Sequence, residues 1–395
     1  MLPQGSQTWQ VLTPGSNARY ASTGHIVFGT EGSLRAAAFD LAELTLDGPP
    51  VPVATGVMTK PSGAVNFDLA GDGSLVYLSG ESGLTTERSV LRVARDGTLT
   101  PLAGMPTGDY ETLRVSPDGR HLAVALGTPA DVWTFDLDRG TFTRVTTDDA
   151  NDTQPLWSVD GQRVVFVSDR DGPLGLFSKP ADGSGTAEWL LSRDESFVVI
   201  PETWTPDGRD LLFTDALSGG GLATERGGRA NIWALSTDRD GAARTIIELT
   251  SNEGHADLSP DGRWLAFHSD LSGRPEIYVD AYPDLGQRTV ISTQGGRAPV
   301  WSPSGDELFF LSLDGTSIFR VDIGTAPALS IGRPTLVAEG PFLPSLGPER
   351  PYDVAADGSS LLIIARPDAA AARGGLEVVF VRRWLNELTA LVPTP

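Results

Sequence analysis

The chain has 395 residues, 40% of them apolar and 21% charged, with 45 glycines and 29 prolines. This composition folds, and it demands many turns between short elements. A net charge of −21 excludes nucleic acid and anionic membrane surfaces as partners, because both would repel the chain. The lack of cysteine excludes a disulfide framework and a thiolate metal site.

In chain order, the start Met1-Leu2-Pro3-Gln4-Gly5-Ser6 has no basic segment followed by an apolar stretch, so no export signal is expected and the chain reads as soluble. Residues 9–13, Trp9-Gln10-Val11-Leu12-Thr13, form the first predicted strand. A tight turn ending in glycine then recurs along the chain. Weak copies end at Gly24 and Gly73, and strong ones are Ser116-Pro117-Asp118-Gly119, Ser158-Val159-Asp160-Gly161, Thr205-Pro206-Asp207-Gly208, Ser259-Pro260-Asp261-Gly262 and Ser302-Pro303-Ser304-Gly305. A last weak copy is Ala355-Ala356-Asp357-Gly358. Proline pre-sets φ at the second turn position, aspartate suits the third, and glycine takes the positive φ that closes a bulged hairpin.

An apolar or aromatic residue precedes each turn, as at Trp157, Trp204 and Trp301. A strand with an aromatic in a common register follows: Phe166, Phe213, Phe267 and Phe310. A third strand carries its own aromatic, Trp133, Phe177, Trp233, Tyr278 or Phe319, and a fourth short strand closes the unit. Four short strands per repeat mark an all-β, closed β-propeller of four-stranded blades. Eight turn copies predict eight blades, with seven as the alternative. The last unit, 350–385, has no fourth strand of its own, and residues 7–13 are expected to supply it. That pairing leaves no free sheet edge and makes 1–395 a single domain with 386–395 as a tail.

The pattern resembles the WD40-like repeat of TolB and its relatives, without the Trp-Asp dipeptide of true WD40 repeats. It is most similar to the C-terminal propeller of bacterial receptor-type serine/threonine kinases, through 272–279 (Ser-Gly-Arg-Pro-Glu-Ile-Tyr-Val), 292–297 (Ser-Thr-Gln-Gly-Gly-Arg), Trp301-Ser302-Pro303, 38–41 with 48–53, and the tail 381–388. The tail departs in having Arg383 where that family has asparagine before Trp384. The resemblance implies an extracytoplasmic sensor or an interaction module of a signalling or envelope protein.

Catalytic constellations are missing from the sequence. Only Lys60 and Lys179 occur, neither in a phosphate-loop or kinase-strand setting, and there is no Asp-Phe-Gly. Gly80-Glu81-Ser82-Gly83 misses the nucleophile elbow by one residue. Of the four histidines, His25 and His121 follow tight turns and read as solvated. His268 reads as packed within a strand, and His255 leads into an innermost strand. One imidazole is not a zinc or manganese site. No cofactor is expected. Calcium is the one ion that the acidic stretches at 148–152, 169–172 and 238–241 suit, although turn residues bonding their own backbone are the preferred reading there.

A binding surface remains. The long connections 79–88, 216–230 and 366–375 share one face, where recognition loops sit on a rigid scaffold. Asn17, Asn66, Thr112, Gln154 and His255 enter the inner strands at equivalent places and are the candidate ligand-binding residues at the channel mouth. The expected protein is a monomer that binds a protein, peptide or small molecule without catalysis. The rival readings are a metal-dependent lyase or hydrolase using His255, and a scaffold that assembles through its acidic surface.

Overall fold

The computed structural model describes residues 11–30, 32–58, 65–79, 87–192, 197–217, 230–237, 241–324, 329–343, 349–366 and 377–393. The fold is all-β and propeller-like, built mostly of four-stranded antiparallel sheets with a single eight-residue helix among the described residues. The chain divides into two compact units, Thr86–Pro367 and Met1–Thr85 with Asp368–Pro395.

Among the described residues the larger unit contains six sheets. Each starts with a short innermost strand: Tyr110–Val115, Thr153–Trp157, Phe197–Trp204, Glu253–Leu258, Arg297–Trp301 and Tyr352–Val354. Each innermost strand lies against the next in that order, and Tyr352–Val354 lies against Tyr110–Val115. Six apolar clusters follow the same cycle. Leu362 and Ile364 pack with Leu113, Leu122 and Phe135. Ala123 and Val132 pack with Trp157 and Phe166; Leu156 and Val165 with Leu211 and Phe213; Leu212 and Ile232 with Leu258 and Phe267. Ala266 and Ile277 then meet Leu308 and Phe310, and Val300 and Phe309 meet Tyr352 and Leu361.

The aromatic register read from the sequence appears as cross-strand pairs. Phe166 faces Phe177, Phe213 faces Trp233, Phe267 faces Tyr278 and Phe310 faces Phe319, all nearly parallel at 5.4–6.5 Å between ring centres.

The repeated turn is a hydrogen-bonded unit. The Ser116 hydroxyl donates to Asp118 at 2.5 Å and accepts from the His121 N–H at 2.9 Å, while Asp118 accepts from the Arg120 N–H at 3.0 Å. Ser158, Thr205 and Ser259 repeat these bonds with Asp160, Asp207 and Asp261. The glycine, at φ between 68° and 74° in all six copies, faces the second residue of the preceding turn. Gly161 faces Pro117, Gly208 Val159, Gly262 Pro206, Gly305 Pro260, Gly358 Pro303, and Gly119 faces Ala356. A Cβ at Gly262 would lie 3.1 Å from Pro206, so glycine serves both conformation and close approach.

The sheet at the end of this cycle is assembled from distant parts of the chain. Ser360–Ala365 pairs with Ser89–Ala94, which pairs with Leu99–Pro101. Residues 89–101 therefore complete it, where 376–382 and 7–13 were expected. Of the expected partner, 7–10 lie outside the described residues and 11–13 form no strand.

The smaller unit holds the turns ending at Gly24 and Gly73. Its strands Ser16–Ala21, His25–Thr30, Ser33–Asp40 and Thr45–Thr55 form one sheet, and Phe67–Leu69, Leu75–Ser79 and Glu377–Val381 another. The expected tail is partly helical. Helix Trp384–Leu391 buries Trp384 and Leu388 against Val27, Leu34, Phe67 and Leu75. His25, expected to be solvated, is fully buried. Its ring bonds the Thr23 hydroxyl at 2.9 Å and the Val392 carbonyl at 2.6 Å.

Candidate functional site

The innermost strands of the larger unit carry an unusual polar load for so buried a place. Arg114, Glu202 and Arg350 are 4%, 2% and 3% exposed. With Asp257 and Asp353 they line one cavity of about 360 Å³ at the tight-turn end of these strands, walled by Trp157, Trp204 and Trp301. The five charged side chains come from the strands of four different sheets and from Arg350, two residues ahead of Tyr352–Val354.

Several of these groups tie neighbouring sheets together. Asp353 accepts from the Val115 N–H at 2.9 Å, and Asp257 from the Trp301 N–H at 2.8 Å. The indoles of Trp157 and Trp301 donate to the carbonyls of Arg114 and Asp257 at 3.0 and 3.2 Å. Arg350 pairs with Asp257 at 3.2 Å and donates to the Pro299 carbonyl at 3.1 Å, while the Tyr352 hydroxyl donates to the Ala298 carbonyl at 2.6 Å. Glu202 receives the Thr214 hydroxyl at 2.7 Å and the His255 N–H at 3.0 Å, both on Oε1.

Burial sets the protonation of this group. It pushes Glu202 up to about 7, against the pull of Arg350, Thr214 and Arg114. Arg114 is lowered to about 9, first by burial and then by repulsion from Arg350. Burial also works against the charge of Arg350, but Asp257, Asp353 and Glu202 outweigh it and hold the guanidinium charged.

The candidate residues divide between the two units. Asn17 and Asn66 belong to the smaller unit, where the Asn17 amide donates to the Val65 carbonyl at 2.7 Å. Thr112, Gln154 and His255 lie on innermost strands of the larger unit and are buried; Thr112 Oγ1 and Gln154 Oε1 have no hydrogen-bond partner among the described residues. Asn17, Gln154 and His255 share a left-handed backbone, with φ of 53°, 53° and 50°, where the strand register shifts by a bulge. Bulges re-aim side chains, so equivalent sequence positions became equivalent backbone positions.

His268, expected to be packed and bonded, meets His255 with 2.8 Å between their Nδ1 atoms. One Nδ1 donates and the other accepts, and burial favours the neutral form of both rings. Burial first, then nearby positive charge, holds both below the usual histidine range, His268 at about 3. Among the described residues no group of three or more potential metal-ligating side chains forms. The acidic stretch 148–152 is met by a guanidinium: Arg170 pairs with Asp148 at 3.0 Å and Asp152 at 2.9 Å, over the rings of Phe166 and Phe177. Most of the long connections expected to form a recognition face, 80–86, 218–229 and 367–375, lie outside the described residues, as does most of 238–241.

Residues 107–220 match the family model described as the TolB beta propeller domain. The solved structure of a protein assigned as TolB from Agrobacterium tumefaciens aligns with a TM-score of 0.52 at 18% identity, covering 71% of this chain and 98% of that one. Over residues 107–220 the chain is similar to the TolB β-propeller domain, and its fold is propeller-like. A TolB homolog of Chlorobium luteolum is 30% identical over 176 residues, 42% of this chain and 36% of that protein. YuxL, an uncharacterized peptidase of Bacillus subtilis, is 28% identical over 169 residues, 36% of this chain and 25% of that protein. The chain thus spans well under two thirds of either relative. Among the described residues no helix is long and apolar enough to cross a membrane.

Proposed function

We propose that residues 86–367 form a closed, six-bladed ring latched by 89–101 against 352–365, and that this ring is a non-catalytic binding module whose ligand enters its axial channel. The observation that carries the reading is the set Arg114, Glu202, Asp257, Arg350 and Asp353. Charged groups from several sheets converge on one cavity. Part of the set is consumed in fastening one sheet to the next, and the remainder is available to a ligand. A protein segment, a peptide or a small molecule fits such a site, and the similarity to TolB proteins supports an extracytoplasmic role as a monomeric sensor or envelope interaction module. The kinase-linked sensor remains the finer version of this proposal.

The test is turnover. Peptide and glycan substrates, with and without added manganese or zinc, are expected to stay intact. Cleavage abolished by His255→Ala would replace the binding module with an enzyme.

A further inference from the structure

Five charged side chains line the turn-side cavity, and the bonds above satisfy three of them. Arg350 and Asp257 neutralise each other, and Asp353 accepts a neighbouring strand's N–H. Arg350 keeps one unpartnered nitrogen, Nε, but its charge is met. Arg114 and Glu202 are left. The Arg114 guanidinium donates only to the carbonyl of Leu113 on its own strand, at 3.2 Å, has no carboxylate within ion-pair distance among the described residues, and leaves Nε without a partner. Glu202 has Oε1 doubly engaged and Oε2 without a partner. Both residues are more than nine-tenths buried and line the same cavity. A buried donor and a buried acceptor left unmade are costly.

Resting on the binding-module reading, we propose that this cavity takes a small zwitterion of the α-amino-acid class, its carboxylate on Arg114 and its ammonium toward Glu202. A simple anion would leave Glu202 facing like charge, and a simple cation would do the same to Arg114. A zwitterion meets both and brings no net charge into the site. The volume of about 360 Å³ accommodates a free amino acid, and Leu156, Trp157, Trp204, Val300 and Trp301 on the walls offer apolar surface to its side chain. Burial that raises Glu202 toward neutrality fits an acceptor whose charge is restored when an ammonium arrives.

Calorimetric titration of the full chain at pH 8 with glycine, leucine and phenylalanine, and with N-acetyl-leucine and leucinamide, tests this directly. Saturable one-to-one binding of at least one free amino acid is expected, leucine or phenylalanine before glycine. Each blocked leucine should bind about tenfold or more weaker, because each leaves one buried group unpaired. Arg114→Gln should bring leucine down to the affinity of leucinamide while leaving leucinamide unchanged, and Glu202→Gln should do the same for N-acetyl-leucine. No saturable binding of any free amino acid, or equal binding of free and blocked leucine, would overturn the proposal and leave water as the occupant. The comparison of free and blocked ligands uses the unmutated chain, so an unstable variant does not blunt it. Failure here differs from failure of the binding-module reading, which shows as substrate turnover.

Discussion

Glu202, which accepts the His255 backbone N–H, and the bonded His255–His268 rings pull stability in opposite directions with pH. Burial raises Glu202 to about 7 in the folded chain, so its contribution is fully present below the unfolded value near 4.5 and is lost as pH rises through 7. The shift is worth about 3 kcal/mol. Glu202→Gln should therefore flatten the fall in melting temperature between about pH 5 and pH 8, and an unchanged slope would contradict the burial argument. The histidines are depressed, so their contribution is present above about 6.5 and is lost as pH falls. This limb should persist in Glu202→Gln. At this scale the sequence singled out Asn17, Gln154 and His255, whose shared left-handed bulge explains their equivalent spacing. It missed Arg114, although a signal was present. Arg114, Asp257 and Asp353 stand two residues before the first residue of their turns, where the other copies have Leu156, Thr203 and Val300. Glu202 and Arg350 have no such regular place, and only the fold brings them in.

The turn and the strand pair behind it are the elements most legible in the sequence, because each is set by local chemistry. Proline, aspartate and glycine at fixed offsets dictate the hairpin, and the aromatic register dictates which residues face each other across it. Two substitutions separate the conformational cost of a left-handed glycine from the packing of the repeated turn: Gly241 lies between strands Asn231–Ser236 and Ala243–Ile247, outside the repeat, and Gly262 lies within it. Gly241→Ala meets no neighbour within 4 Å and should cost about 1 kcal/mol for its left-handed φ alone. Gly262→Ala should cost more, about 2 kcal/mol, because its Cβ also presses on Pro206. Urea denaturation measures both, and equal losses would show that the stacking of successive turns carries no energy. Phe310→Ala, which removes a buried ring stacked on Phe319, should cost about 3–5 kcal/mol in the same measurement.

Strand partners at long range are what local pattern could not supply. The sequence shows eight turns and expects eight equivalent blades joined end to end. Six of those turns lie in the cycle of the larger unit and two in the smaller unit, because the strands over 89–101 pair with 352–365 and those over 377–381 with 75–79. Nothing in the composition of a strand reveals whether its partner lies ten residues away or more than two hundred and fifty. The contact between the last innermost strand and the first also gives the polar cavity its wall, since Asp353 comes from the one, Arg114 from the other and Arg350 from just ahead of the last. The pairing of Ser89–Ala94 with Ser360–Ala365 is therefore the feature on which the proposed ring and the site both depend. Ala94 and Ser360 are register partners across it, and the chain has no native cysteine to confuse a cross-link. The decisive measurement introduces Ala94→Cys with Ser360→Cys, oxidises the protein, and compares its mobility on non-reducing gels and its melting temperature with those of the reduced form. A compact, cross-linked species that melts higher than the reduced form is predicted. A pair that stays reduced, or a cross-link that lowers the melting temperature, would contradict the closed ring.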